Sequence, residues 1–176
     1  VWVHDKGKVI SWDQDGNPLK MYGTHQDISD KKKFEEQLKI SERAFRSNFE
    51  NAAIGMAILN EKGQWLNVNQ KVCDIVGYTE EELKKLTFQD ITHPEYLDKD
   101  LAYMKELVKG DRDQYQMEKR YFHKDGHIVY IILAAAIVRD LEGNILYFIS
   151  QIIDISKLKK AEQARSEQLE KIQSLL

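Results

Sequence analysis

The chain has 176 residues, of which 42% are hydrophobic, and this is enough for one folded domain with extensions. Its formal net charge is −3, with lysines and arginines interspersed among acidic residues, which argues against nucleic acid as a direct partner. The single cysteine, Cys73, excludes an intrachain disulfide and any metal site built from several cysteines.

The sequence contains no apolar run long enough to cross a bilayer, and its amino end differs from a signal peptide. We therefore expect a cytoplasmic location and no direct membrane contact. The chain lacks an initiating methionine, which indicates a piece of a longer polypeptide. Such a parent protein can still carry a membrane anchor elsewhere.

Residues 1–28 are predicted to form two strands joined by a turn. The turn, Asp13-Gln14-Asp15-Gly16-Asn17-Pro18, is a cluster of residues that favour chain reversal. An isolated hairpin is only marginally stable in water. We therefore expect this hairpin to pack on the rest of the chain or on a second copy, and disorder is the alternative.

A helical pattern begins at Ser29. The side chain of Ser29 suits a helix cap, and the charge of Asp30 suits the positive amino end of a helix. We predict a linker helix over residues 29–48.

Residues 49–156 are predicted to form one complete domain. In chain order the pattern indicates two strands, several short helices and three strands. This order indicates the α+β class, with a five-stranded antiparallel sheet and short helices on one face. A charged helix is predicted over residues 157–176.

Several short motifs in this region, present together and in order, closely resemble a PAS domain. They are Asn69, Gly77-Tyr78-Thr79, Glu81-Glu82-Leu83, the Phe-Gln-Asp-Ile-Thr-His-Pro of residues 88–94, Glu118-Lys119-Arg120-Tyr121, Lys124-Asp125-Gly126 and Asp154-Ile155-Ser156. Residues 1–28 resemble the last two strands of another such domain. The resemblance implies a sensory module from a tandem-PAS prokaryotic signalling protein, such as a sensor histidine kinase.

An internal repeat agrees with this organisation. Without a gap, Gly16-Asn17 aligns with Gly143-Asn144, and Asp27-Ile28-Ser29 aligns with Asp154-Ile155-Ser156. In each copy a strand passes into a helix through the triplet. Asp or Ser at such a junction can bond free amide groups of the first helical turn, which ties the helix to the sheet. The resemblance implies that Asp154, Ile155 and Ser156 relay the signal, and that Asp27 and Ser29 did so for the truncated module.

Apolar residues in both linker helices recur at steps of three and four, which is typical of a two-helix seam. They are Phe45, Phe49, Leu158, Leu169, Ile172 and Leu176. Strands 128–138 and 145–153 carry apolar side chains on both faces, so the face away from the helices should also be buried. We expect a homodimer through the linker helices and the outer sheet face, and a solvated helix on its own domain is the alternative.

The resemblance also implies a ligand pocket between the sheet and the helices. Ala134-Ala135-Ala136 leaves little side chain in a central strand, so Ala134 and Ala136 are expected to line a cavity beside Leu101, Met104 and Met117. The alternative is that larger neighbours fill this space. Lys119 faces inward if its strand alternates regularly, and there it meets an anionic ligand or an acidic residue; a bulge would turn it outward.

The residues present restrict the cofactors. Cys73 lies outside the Asn-Cys-Arg motif of flavin-photoadduct PAS domains. Haem-binding relatives often carry an axial histidine on the helix that here spans residues 98–109, which contain none. We therefore expect neither covalent flavin nor haem, whereas non-covalent flavin or another small molecule is compatible. We also expect no metal site.

No motif predicts catalysis, because the chain lacks a Gly-rich phosphate loop, zinc-ligand spacing and a nucleophile beside a base. We predict a non-enzymatic sensory module that detects a small ligand or partner and relays the change through its carboxy-terminal helix. The output domain is expected elsewhere in the same polypeptide, as a histidine kinase in preference to a diguanylate cyclase. The alternative is a ligand-free PAS domain that serves for dimerisation or spacing.

Overall fold

The computed structural model describes residues 1–174, which contain seven strands and six helices. In chain order these are β1 (Val3–Trp12), β2 (Pro18–Asp27), α1 (Ser29–Glu50), β3 (Gly55–Leu59), β4 (Trp65–Val68), α2 (Gln70–Val76), α3 (Glu80–Leu83), α4 (Phe88–Ile91), α5 (Pro94–Lys109), β5 (Gln114–Phe122), β6 (Ile128–Arg139), β7 (Ile145–Asp154) and α6 (Ser156–Gln173). The chain divides into two units, Val1–Ser47 and Asn48–Leu176, with the boundary inside α1.

The first unit contains the predicted hairpin, in which β1 and β2 pair antiparallel and expose almost all of their residues. Asp13 organises its turn, because Oδ1 of Asp13 accepts the backbone N–H groups of Asp15 and Asn17 at 2.9 and 2.8 Å. Gly16 has a φ of 83°, which glycine adopts without steric cost. The hairpin is thus fixed by its own turn, as the sequence predicts.

The second unit is built on a five-stranded antiparallel sheet with the strand order β4-β3-β7-β6-β5. β6 and β7 are the long central pair, in register through Leu133 opposite Ile152 and Ala135 opposite Ser150. The α+β class and the five-stranded sheet predicted from the sequence are confirmed. Successive side chains of a strand point to opposite faces, so β5 and β6 each send one alternate set into the core.

The short helices α2 to α5 follow β4 and are fixed by local caps. Asn69 caps α2: its Oδ1 accepts the N–H groups of Met56 and Val72, and its Nδ2 donates to the carbonyl oxygens of Phe49 and Ile54. This fully buried amide therefore joins the end of α1, the start of β3 and α2. Thr79 and Glu82 form a capping box at the start of α3.

The core lies between the sheet and these helices. Its buried hydrophobic residues come from every strand of the second unit and from α2 to α5; they include Leu59, Trp65, Val76, Leu83, Phe88, Leu107, Tyr121, Ile131 and Ile152. α6 leaves the sheet after β7 and has no buried residue within its described length. Among residues 1–174, every helix is too short or too polar to span a lipid bilayer.

Candidate functional site

A buried charge pair lies between α5 and β5. Regular alternation along β5 turns Lys119 into the core, and α5 places Asp100 opposite it, so that Nζ of Lys119 donates to Oδ2 of Asp100. The hydroxyl of Tyr115 donates to the other oxygen of Asp100 at 2.6 Å, and Thr92 Oγ1 lies 3.4 Å from Lys119 Nζ. Neither charged side chain has any exposed surface.

The surroundings of this pair control its electrostatics. Burial lowers the pKa of Lys119, and the nearby charge of Asp100 opposes that shift. The rings of Tyr121 and Phe88 lie 4.5 and 5.0 Å from Nζ, where aromatic faces attract a cation. Burial also raises the pKa values of Tyr115 and Tyr121, and the charge of Asp100 adds to both shifts. Both phenols therefore remain protonated hydrogen-bond donors in the folded core.

A small cavity adjoins the charge pair. It has a volume of about 20 Å³, which is room for about one water molecule. Its wall is formed by Leu59, Trp65, Phe88, Asp100, Met104, Tyr115, Lys119, Tyr121, Leu133, Ala135, Phe148 and Ser150. The buried indole Nε1–H of Trp65 has no hydrogen-bond partner among the described residues. The site thus combines a neutralised ion pair with one unused donor.

The strand-to-helix junction at the end of β7 lies on the same sheet. Oδ1 of Asp154 accepts the N–H of Ser156 at 2.8 Å, and Oγ of Ser156 accepts the N–H of Tyr130 at 3.0 Å. The N–H of Ile155 donates to the carbonyl of Tyr130 at 2.8 Å, and the side chain of Ile155 is buried. The first residues of α6 are therefore bonded directly to β6.

An ion pair joins α6 to β5 as well. Nζ of Lys159 lies 2.9 Å from a carboxylate oxygen of Glu118, the neighbour of Lys119 on the strand. Because side chains alternate along β5, Glu118 is on the outer face while Lys119 is inside. The same strand thus contacts both the buried charge pair and the outgoing helix.

Comparison with known proteins identifies the family of this domain. Residues 66–152 match the family model described as the PAS fold, which covers most of the sheet and all the short helices. The chain contains a PAS domain. Its fold also resembles that of a PAS domain from Colwellia psychrerythraea, with a TM-score of 0.59 at 18% identity over 68% of this chain and 98% of that one.

Two relatives are multidomain signalling proteins to judge by their names and lengths. Over 132 residues the chain is 46% identical to the probable diguanylate cyclase DgcE of Escherichia coli (strain K12), a match to 75% of this chain and 12% of that protein. Over 126 residues it is 24% identical to the sensor histidine kinase TmoS of Ectopseudomonas mendocina, a match to 72% of this chain and 13% of that protein. The PAS domain is a sensory module of signalling proteins.

The pocket residues predicted from the sequence are only partly those of the PAS domain cavity. Lys119 and Met104 line the cavity, whereas Met117 and Leu101 belong to the core beside it. Ala134 and Ala136 are corrected: they are on the opposite face of β6, and Ala135 lines the cavity. Side chains alternate between the two faces of a strand, so an assignment that is wrong by one residue places all of the chosen side chains on the opposite face.

The sequence interpretation missed Asp100 and Trp65. A signal for Asp100 was present, because Leu97, Asp100, Met104 and Leu107 are spaced by three and four residues and share a face of α5. No comparable signal indicates that the Trp65 indole faces an unfilled space, because its neighbours are distant in sequence.

The residues predicted for a dimer seam differ in their exposure to solvent. Leu158, Leu169 and Ile172 are exposed on α6, and Phe45 is about half exposed on α1. Phe49 is corrected, because its side chain is 7% exposed and it is part of the PAS unit's buried surface. Leu176 is outside the described residues.

Proposed function

We propose that this PAS domain detects a change at its buried charge pair and relays it through β6 and the Asp154 to Ser156 junction into α6. One observation supports the relay: β6 presents Leu133 and Ala135 to the cavity and bonds the start of α6 through Tyr130. A displacement of this strand by a ligand therefore changes the hydrogen bonds that orient the helix. The stimulus must favour one of the two arrangements by differential binding.

The proposed ligand is small, uncharged and equipped with a hydrogen-bond acceptor. Lys119 is already neutralised by Asp100, so a second anion gains little there and loses its hydration. The unused N–H of Trp65 requires an acceptor. A cavity of about 20 Å³ is far below the several hundred Å³ of drug-sized ligand sites, so a flavin-sized molecule would first require the walls to separate.

A ligand-free PAS domain that dimerises or spaces its neighbours is the second proposal. The same small cavity favours it, because Tyr115, Tyr121 and Trp65 fill most of the space that a ligand would occupy. The two proposals differ in what accompanies the purified chain.

Native mass spectrometry of the full chain distinguishes them. Sensing predicts a mass increment of one small molecule per chain that is lost in Trp65→Phe, which removes the unused donor while keeping an aromatic ring. Met21→Leu, an exposed change in the first unit, is the matched control and should retain the increment. The ligand-free proposal would be favoured if the chain shows only its own mass, both as purified from cells and after incubation with a panel of small neutral metabolites.

The relay itself is tested with the chain fused to a diguanylate cyclase catalytic domain. Because the N–H of Tyr130 bonds to Ser156, Ser156→Ala should change basal product formation, and Asp154→Ala should change it in the same direction. Ser174→Ala is the control, since the hydroxyl of Ser174 donates to the carbonyl of Lys171 at the far end of α6. Equal output from all of these variants would contradict the relay.

For the output domain, the relative with 46% identity is a probable diguanylate cyclase, and the relative with 24% identity is a histidine kinase. We therefore propose a cyclase output ahead of the kinase that the sequence reading favoured. Reading the parent coding sequence past Leu176 tests this directly.

Dimerisation through the helices and the outer sheet face also remains a proposal. Leu158, Leu169 and Ile172 are about half exposed on α6, and Ile149 and Ile153 are partly exposed on β7. Exposed apolar side chains arranged along a helix suit a seam with a second copy. Analytical ultracentrifugation should show a dimer that Leu169→Glu weakens and Gln168→Glu, its exposed neighbour, does not.

The domain boundaries are proposed as the sequence indicates them: a hairpin remnant of an upstream PAS domain over residues 1–28, a linker helix over 29–48, a complete domain over 49–156 and a signalling helix over 157–176. The hydrogen bonds of the two junctions support the first of these. Trp2 and Ser29 are bonded in the first unit as Tyr130 and Ser156 are in the second.

A further inference from the structure

Three potential metal ligands converge at the turn between β5 and β6. The carboxylate Oδ1 of Asp125 lies 3.0 Å from Nδ1 of His123 and 2.5 Å from Nδ1 of His127. The two imidazole rings stack with their centroids 4.3 Å apart, and the ligand atoms of the three residues all lie within 4.8 Å of one another. The sequence predicted no metal site, because it has a single cysteine and no zinc-ligand spacing.

The turn holds the ligands in place without a metal. The N–H of His123 donates to the carbonyl of His127 at 2.8 Å, and the N–H of Lys124 donates to the carbonyl of Val76 at 2.9 Å. The ring of His123 packs directly over Gly77, where a Cβ would lie only 2.2 Å from it. His123 is therefore a fixed ligand, and His127 and Asp125 are more exposed partners that can adjust around it.

The protonation and charge of the cluster suit a cation. The backbone N–H of Asp125 donates to Nδ1 of His123 at 3.2 Å, so this nitrogen acts as an acceptor, and a metal ion would take the place of that long hydrogen bond. Lys124, the cation nearest in sequence, is drawn away to Glu82 at 2.6 Å. The cluster thus offers two imidazoles and one anion without a competing lysine.

We propose that His123, Asp125 and His127 bind one divalent transition metal ion such as Zn²⁺, with water completing the coordination. Bonds of about 2.0–2.2 Å to nitrogen and oxygen place tetrahedral ligands roughly 3.3 Å apart. The Asp125 oxygen lies 3.0 and 2.5 Å from the two nitrogens, closer than that, and the imidazole rings are stacked. Metal binding therefore requires the exposed His127 ring to rotate out of the stack, so that both ring planes meet at the ion. Two imidazoles and a carboxylate suit zinc and its neighbours in the first transition row better than Mg²⁺ or Ca²⁺, which prefer oxygen. Binding displaces the proton that His127 shares with Asp125.

The test is isothermal titration of ZnCl₂ into the full chain after removal of metal with a chelator. The wild type should bind one ion per chain, and His127→Gln and Asp125→Asn should each weaken binding by at least about tenfold, because even outer-shell partners of a metal contribute that much. Both side chains are largely exposed, so neither change threatens the fold.

His25→Gln is the matched control, because His25 also pairs with an aspartate, Asp5, but in the first unit and without a third ligand. It should leave the affinity unchanged. Zinc should also raise the melting temperature of the wild type and of His25→Gln, but not of His127→Gln. Wild-type binding no tighter than that of His127→Gln, or an equal loss in His25→Gln, would overturn the proposal. Neither result bears on the proposed sensory function, which involves Lys119, Asp100 and the cavity and not this turn.

Discussion

The two units contain the same hairpin-to-helix segment in two different surroundings. In both turns an aspartate, Asp13 or Asp140, accepts two backbone N–H groups through one oxygen. In both junctions a serine hydroxyl accepts a backbone N–H near the start of the hairpin: that of Trp2, just before β1, at 2.8 Å, and that of Tyr130 in β6 at 3.0 Å. The local hydrogen bonds are thus almost identical.

The surroundings of the two segments differ completely. β6 and β7 lie between β5 and β3 and send one alternate set of residues into the core, whereas β1 and β2 pair only with each other in the described sheet topology. Side chains such as Leu19, Met21 and Tyr22 consequently remain exposed. Turn and junction geometry therefore depend on local sequence, and burial depends on neighbouring strands and helices. The charged pairs, the junction serines and the turn glycines allow the two units to be compared at one such feature at a time.

The largest difference is expected at the charged pairs. Asp100→Ala leaves Lys119 buried without its partner, so the PAS unit should lose about 3–5 kcal/mol of unfolding free energy. Asp5→Ala removes the exposed carboxylate that contacts His25 and should produce no measurable change. Urea denaturation followed by circular dichroism measures both.

A double variant separates lost attraction from a stranded charge. Asp100→Leu combined with Lys119→Met replaces both partners by apolar groups and should recover most of the stability lost in Asp100→Ala. A double variant as unstable as Asp100→Ala would show that the pair itself, and not the unpaired lysine, determines the loss.

The junction serines should show the next largest difference. Ser156→Ala leaves the partly buried N–H of Tyr130 without its acceptor and should cost about 1–3 kcal/mol. Ser29→Ala exposes the N–H of Trp2 to water, which replaces the lost bond, so the cost should be smaller. Amide hydrogen exchange at Tyr130 and Trp2 in each variant reports the two bonds separately. Equal acceleration at both amides would contradict the role assigned to burial.

These comparisons show how far the sequence predicts the molecule. Turn residues, caps and strand alternation are local, and they predicted the hairpin, the helices and the five-stranded sheet, while leaving Lys119 open between an inward position and a bulge. The wall of the cavity was predicted less well, because β6 is apolar on both faces and its pattern does not reveal whether Ala134 or Ala135 points inward. The pairing of Lys119 with Asp100 joins residues from separate elements, so no local pattern specifies it.

The pH dependence of the core should give an intermediate effect. The folded-state pKa of Tyr121 is raised well above the ordinary value near 10, mainly by burial. The unfolded chain therefore releases this proton first, and the stability present below pH 10 is lost as the pH rises above it. When the pH is raised from 9 to 11, the free energy of unfolding of Tyr121→Phe should fall by about 1 kcal/mol less than that of the wild type.

Lys119 has the opposite effect on the free energy of unfolding, because folding lowers its pKa. The unfolded chain therefore binds this proton more tightly, and the contribution of Lys119 to stability increases as the pH rises towards about 10.4. Lys119 is present in both proteins, so its contribution largely cancels in the comparison. Urea midpoints at the two pH values measure the difference. A parallel decline of the two proteins would mean that Tyr121 ionises at the same pH whether the chain is folded or not.

The smallest difference between the units is expected at the turn glycines. Gly16 and Gly143 have φ angles of 83° and 88°, and no heavy atom outside the adjacent residues lies within 4 Å of the position that a Cβ would take at either. Alanine should therefore cost about 1–2 kcal/mol at each through backbone strain alone. Amide exchange within each turn, at Asn17 and Asn144, should accelerate by the same factor in Gly16→Ala and Gly143→Ala. A much larger effect at Gly143 would mean that the surrounding sheet amplifies strain in its own turns. The cost of alanine would then depend on the neighbouring strands as well as on the sequence of the turn.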